Sequence, residues 1–240
     1  MSKMIQPGLV YDSDESAELS DERRAVLAHV GRDKAVLEVG AHTGYFSAHL
    51  RRRGCRITAV EMDPAAADVA RASVDDLVLG DIERPEVRER IRGDYDVILL
   101  MHVLEHLVDP WRVLRELRPR VRDGGRCIVL LPNVAGWRVR KDLFFKGAFD
   151  YTDLGALDRT HLRFFTVRTA LALLQDSGYD VETWAPLDIC VPLERRLRLL
   201  PLIGGLSRPW KAWMARRFPN LCAEILLLVA TPRPRTNGRD

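Results

Sequence analysis

Val36-Leu37-Glu38-Val39-Gly40-Ala41-His42-Thr43-Gly44-Tyr45-Phe46 is the stretch on which the reading of the chain turns. Mostly apolar residues make a short strand with an acid, Glu38, near its end. A glycine-bearing turn follows, and a helix opens at about Gly44. This is the first strand–turn–helix of a nucleotide-binding α/β sheet. Gly40 lets the backbone turn tightly, and Gly44 lets the helix start close to a ligand. His42 stands where the usual pattern has its middle glycine, and the turn can form if the imidazole points to solvent.

Downstream the same alternation repeats. Residues 56–61 read as a second strand ending in Glu61, and Asp63-Pro64 opens a helix with an N-cap followed by proline. Residues 77–81 make a third strand ending in Asp81. Residues 95–101 make a fourth, followed by His102. Asp109-Pro110 repeats the cap and proline, and Asp123-Gly124-Gly125 turns into a fifth strand at 126–131. Strands alternating with helices imply a parallel sheet with right-handed crossovers. Such sheets bind ligands outside the carboxyl ends of their strands, where Gly40, Glu61, Asp81 and His102 fall.

Upstream, residues 1–15 read as a loose tail and 16–30 as a helix with Leu19, Val26, Leu27 and Val30 on one side. Residues 132–165 break the alternation and hold seven of the 17 aromatics, so a cap over the sheet is expected there. A helix capped by Thr166, a sixth strand at 179–187 and an antiparallel seventh at 221–231 complete the pattern. The expected fold is α/β, a doubly wound, mostly parallel seven-stranded sheet. It has an antiparallel edge strand, helices on both faces and a helical and loop cap over the carboxyl ends. One domain spans 1–240: tail and helix to 30, core 31–135, cap segments 136–220 interleaved with the sixth strand, and last strand 221–231.

Composition narrows the partners. Charges nearly balance at +3, so nucleic acid is not expected. Cys55, Cys127, Cys190 and Cys222 are far apart without a Cys-x-x-Cys pair, which points to a reducing cytoplasm. The first 20 residues carry no apolar stretch of the signal-peptide kind.

Taken as a set, Glu38-x-Gly40-x-x-x-Gly44, Glu61, Gly80-Asp81 and Leu104-Glu105-His106-Leu107 resemble the S-adenosylmethionine-dependent methyltransferases of the seven-stranded Rossmann-like kind, over roughly residues 35–185. Asp158-Arg159-Thr160-His161-Leu162-Arg163-Phe164-Phe165-Thr166 resembles the subgroup that modifies small molecules, glycans and natural products. The resemblance implies S-adenosylmethionine as cofactor and S-adenosylhomocysteine as product. Gly40, Ala41, His42 and Gly44 would approach its methionyl and ribose parts, and Glu38 would help hold its amino group. Glu61 would accept the ribose hydroxyls, and Met62 would lie against the adenine. Asp81 would accept from the adenine amino group beside Ile82, and Met101 and His102 would lie beside the sulfonium.

The expected reaction is methyl transfer to an oxygen nucleophile of a small natural-product or sugar-like acceptor. Methylation at nitrogen, a nicotinamide-dependent oxidoreductase on a similar sheet, and a non-catalytic binding module are the alternatives. His161, in the aromatic segment, is the candidate base, with His102 a second catalytic candidate and Tyr151, Asp158 and Arg159 weaker candidates for substrate contact. His161 could instead hold its loop. His102, Glu105 and His106 share a helical face by spacing, and ubiquinone-pathway O-methyltransferases carry a Glu-x-x-Glu-His metal set at a similar place. Because the first position here is histidine, no metal is expected. Residues 192–218 mix arginines with leucine and tryptophan. They are expected to wall the acceptor site, with weak peripheral membrane contact as the second reading.

Overall fold

The computed structural model describes residues 3–4, 19–192 and 207–234. The expected tail at 1–15 lies outside these apart from the two-residue strand β1 (Lys3–Met4). The other strands are β2 (Ala35–Val39), β3 (Arg56–Glu61), β4 (Asp76–Leu79), β5 (Tyr95–Met101), β6 (Val121–Pro132), β7 (Tyr179–Ile189) and β8 (Ala223–Pro232). Their order across the sheet is β1-β7-β8-β6-β5-β2-β3-β4. The last strand is antiparallel to both neighbours, as expected, but it lies between β7 and β6 rather than at an edge. The bridge it makes explains its apolar run, because an interior strand is covered on both faces.

The period of two along each central strand builds two cores at once. Leu37, Val39, Ile98, Leu100, Val129 and Leu131 face one cluster, with α5 (Pro110–Leu117) and α7 (Val167–Asp176) packed on it. Val36, Val97, Leu99, Ile128 and Leu130 face the other, with α1 (Asp21–Val30) and α2 (Tyr45–Arg52). Leu37, Leu99 and Leu100 are fully buried, each contributing ~1.5–3 kcal/mol of transfer free energy.

The two expected proline-led helices form where the sequence placed them, and a third, α4 (Pro85–Arg90), lies between them along the chain. Asp63 accepts from the Ala65 amide ahead of α3 (Pro64–Ala70), and Asp109 accepts from that of Arg112 ahead of α5. Thr166 and Thr169 close a reciprocal capping box at the start of α7. From β2 the chain winds outward through β3 and β4, then returns to place β5 on the other side of β2. The winding therefore reverses between β2 and β5, where open α/β sheets form their ligand crevice.

Candidate active site

The rim of that crevice is set by strand register. Val39 lies beside Val60 and Leu100, and Glu61 beside Leu79. Gly40, Glu61, Gly80-Asp81 and Met101-His102 therefore share one end of the sheet. Gly40 has φ 73°, and a Cβ there would meet Val103 at 2.7 Å. Gly44, also at φ 73°, lets the start of α2 close on the end of α3, since a Cβ would lie 3.0 Å from the Ala70 backbone. The turn between them does form with His42. Its φ is 50°, its side chain is exposed, and its amide donates to Glu61 Oε2 at 2.7 Å.

Glu61 is buried and ties together two loops through three amides. Its Oε1 accepts from the amides of Met62 at 2.8 Å and Asp63 at 2.9 Å. Each carboxylate oxygen has two acceptor positions, so Oε1 is filled and Oε2 keeps one. One ribose hydroxyl can be met directly there. The expected pair of hydroxyl contacts requires an amide to let go.

Met62 is 69 % exposed at the rim, an apolar face of the kind an adenine ring covers. Asp81 Oδ1 accepts from the Glu83 amide at 2.8 Å, and Ile82 is buried below it. Ala41 is buried at the turn. This donor set fits an adenosyl group, with an open glycine turn, a carboxylate with a free position, an exposed apolar side chain and a second carboxylate. Glu38 is buried, and Ser47 Oγ donates to it at 2.5 Å. Burial pushes its carboxyl up to about 7 against the opposing pull of that bond. It shapes the turn from behind rather than from the surface.

Beyond His102 the crevice opens into a cavity of about 690 Å³ under the cap. The cap comprises α6 (Trp137–Lys146) and the loop to Phe165. Its base is Asn133, fully buried, whose Nδ2 donates to the carbonyls of Ala223 at 2.7 Å and Asn220 at 3.0 Å while Oδ1 accepts from the Ala135 amide. The far end of the loop is held by the Glu105 carbonyl, which accepts from Leu162 and Arg163.

His102 adopts φ 54° and lies outside the 3-10 turn Leu104–His106, so the expected helical face is not built. Its Nδ1 is 3.3 Å from Glu105 Oε1 and its Nε2 is 3.7 Å from Glu22 Oε2, brought in by α1. Burial opposes the charge, but the two carboxylates outweigh it and raise the imidazole to about 9. His106 turns the other way, toward His161, with ring centroids 4.8 Å apart and edge to face. His161 Nδ1 lies 3.3 Å from the Ala156 carbonyl. An Nδ1–H donated there leaves Nε2 with its lone pair. Glu105, His106 and His161 bring three ligand atoms within 4.8 Å of one another, the metal-like grouping found among the described residues. It differs from the trio that spacing suggested.

Asp158 lines the cavity, whereas Tyr151 is exposed and Arg159 pairs with Asp153 at 2.7 Å. Residues 193–206 of the segment expected to wall the acceptor site lie outside the described residues. The remainder, α8 (Ser207–Arg217), packs Met214 against Val191 and Cys222, and residues 209–217 are not among the described residues that line this cavity. Among the described residues the walls come from α6, the cap loop, Asp188 and Glu224-Ile225. Glu22, Asn133, Asp188 and Glu224 went unnoticed in the sequence. Only Asp188 leaves a mark, a left-handed φ of 45°, and that is visible in the backbone alone.

Fold and site together define a class I methyltransferase. The chain matches the family model described as "Methyltransferase domain" over residues 11–183, and it belongs to that family. Its cofactor is S-adenosylmethionine. The chain is similar to the "Ubiquinone biosynthesis O-methyltransferase" of Aeromonas salmonicida, 32% identical over 100 residues, 40% of this chain and 42% of that protein. That of Pseudomonas paraeruginosa is 33% identical over 112 residues, 45% of this chain and 47% of it. The matches thus span less than half the length of these relatives. Among solved structures, a SAM-dependent methyltransferase from Archaeoglobus fulgidus aligns with a TM-score of 0.60 at 16% identity, covering 87% of this chain and 93% of that one. A Thermotoga maritima protein described as a "possible histamine N-methyltransferase" aligns with a TM-score of 0.56 at 18% identity, covering 88% and 86%. At those identities the likeness is one of fold. No helix among the described residues is long and apolar enough to cross a membrane.

Proposed function

We propose that this chain methylates an oxygen nucleophile of a small molecule held in the cavity beside His102. The observation that carries the reading is the imidazole of His161. Its Nδ1 lies 3.3 Å from the Ala156 carbonyl, so a proton held there would leave the Nε2 lone pair at the cavity wall. A neutral imidazole so held can take a proton from a hydroxyl near neutral pH.

S-adenosylmethionine supplies an activated methyl group on a sulfonium, so the hard chemistry is the cofactor's. The residues of the chain bind, orient and exclude water. Glu61 would hold the ribose through the open position of Oε2. Asp81 would meet the adenine amino group, and Met62 with Ile82 would flank the ring. Gly40, Ala41, His42 and Gly44 would present backbone to the methionyl portion, with Glu38 beneath and Met101 and His102 beside the sulfur. His161 Nε2 would take the proton of the acceptor hydroxyl as that oxygen receives the methyl group. His102 is paired with Glu22 and Glu105 as a cation and is a poor base, so its role is to order the floor of the cavity. No divalent ion is required, and four free thiols suit a reducing cytoplasm.

The test is transfer of labelled methyl from S-adenosylmethionine to a panel of hydroxyl-bearing metabolites, with product analysis of the linkage. Exclusive formation of methylamines would overturn the oxygen assignment.

A further inference from the structure

We propose that the acceptor carries an ammonium group, separate from the hydroxyl that is methylated, and that the acid-rich wall of the cavity selects it. This rests on the reading of the cavity as the acceptor site.

The chain as a whole is basic, at +3, yet the cavity is not. Seven carboxylates line it against Arg138, Lys146 and the charged His102. The cations are already committed. His102 lies between Glu22 and Glu105, and Arg138 is 3.9 Å from Glu224. Lys146 binds Asp142 at 2.9 Å, with Lys141 adding a second contact from outside the wall. Asp150 and Asp188 are exposed to the cavity and form no ion pair among the described residues. Glu105 supplies an independent observation. It is fully buried, it lines the cavity, and its Oε2 has no hydrogen-bond partner among the described residues. A buried carboxylate oxygen left unmade is costly, and a donor on the acceptor would satisfy it.

A carboxylate or phosphate on the acceptor would meet like charge on most sides, so the same wall rejects anionic molecules. Acidic surroundings also keep an amine protonated, and an ammonium nitrogen has no lone pair with which to attack a methyl group. The amine therefore anchors, and a hydroxyl elsewhere in the molecule is the nucleophile. The volume of about 690 Å³ lies within the range of small-molecule sites.

The experiment uses the full chain saturated with S-adenosylhomocysteine and titrated by calorimetry with spermidine and, separately, with citrate. Spermidine is expected to bind once per chain with Kd at or below ~1 mM at low salt. The double variant Asp150→Asn/Asp188→Asn is expected to weaken it by about tenfold or more, and added salt to weaken it further. Asparagine tolerates the left-handed backbone at 188, and affinity for S-adenosylhomocysteine in this variant is expected to stay within about twofold. Absence of spermidine binding, binding unchanged in the variant, or citrate binding in the cavity would each overturn the proposal. Failure of S-adenosylhomocysteine to bind in the first step would instead overturn the methyltransferase reading, so the two failures are distinct.

Discussion

The two halves of the crevice are built by opposite means. On the proposed cofactor side the groups are backbone and carboxylate at strand ends, and apart from the His42 amide on Glu61 they are held by neighbours close in sequence. Glu61 is bound by the amides of Met62 and Asp63, and Asp81 by that of Glu83. On the acceptor side the groups are side chains joined over long separations. Glu22 meets His102, His106 meets Thr160, and Asn133 meets Ala223. A local turn is cheap to order, whereas a long-range pair forms only once the chain between has been closed. The cofactor half is therefore expected to tolerate changes in the cap, and the acceptor half to depend on it.

The sharpest break of this comparison comes at His161. His161→Ala is expected to lower turnover by ~10²–10⁴-fold while leaving cofactor affinity alone. A drop under about tenfold in steady-state assays would make His161 a loop anchor and remove the chemical distinction between the halves.

Glu38 tests whether the cofactor half stores a buried acid. Its folded pKa of about 7 lies above the ordinary 4.5. The folded state holds the proton more tightly, so stability is fully present below pH ~4.5 and declines as pH rises toward 7, by on the order of 3 kcal/mol. Glu38→Gln is expected to flatten that decline, as read from denaturant midpoints at about pH 5 and pH 8. Parallel curves for the two proteins would show Glu38 to be ionised throughout. His102 provides the acceptor-side counterpart with opposite sign of charge. Its raised value means that its contribution is present below pH 6.5 and is lost as pH rises through about 9.

Glu61→Ala is expected to weaken S-adenosylmethionine by about ten- to a hundredfold in calorimetry. Because three amides lose their acceptor, thermal stability should fall as well. Unchanged affinity would take the ribose away from Glu61. The smallest expected effect is none at all. Chelation with EDTA should leave turnover unchanged, because His102 is committed to carboxylates and His161 is free as a base. Activity lost with EDTA and restored by magnesium or zinc would turn Glu105, His106 and His161 into ligands.

The sheet was legible because apolar runs of strand length, the first three ended by a glycine or acid, state both the element and its outer end. Asp63-Pro64 and Asp109-Pro110 are equally local signals, and both helices begin where those residues stand. The carboxyl-end convergence of Gly40, Glu61, Asp81 and His102 followed from topology rules that need only the order of elements. His102, Glu105 and His106 show where such reasoning stops. Helical spacing groups them, but a left-handed φ at His102 sends its ring to Glu22 and leaves His106 to His161. What the sequence by itself determined is the alternating α/β frame and the gathering of Gly40, Glu61, Asp81 and His102 at one end of the sheet, since both depend on periodicity and short-range turns. The tertiary structure alone decided that β8 runs inside the sheet, that Asn133 and Glu105 hold the cap, and that carboxylates from α1, α6, β7 and β8 share one cavity. Those depend on contacts between segments far apart along the chain, for which no local pattern exists to be read.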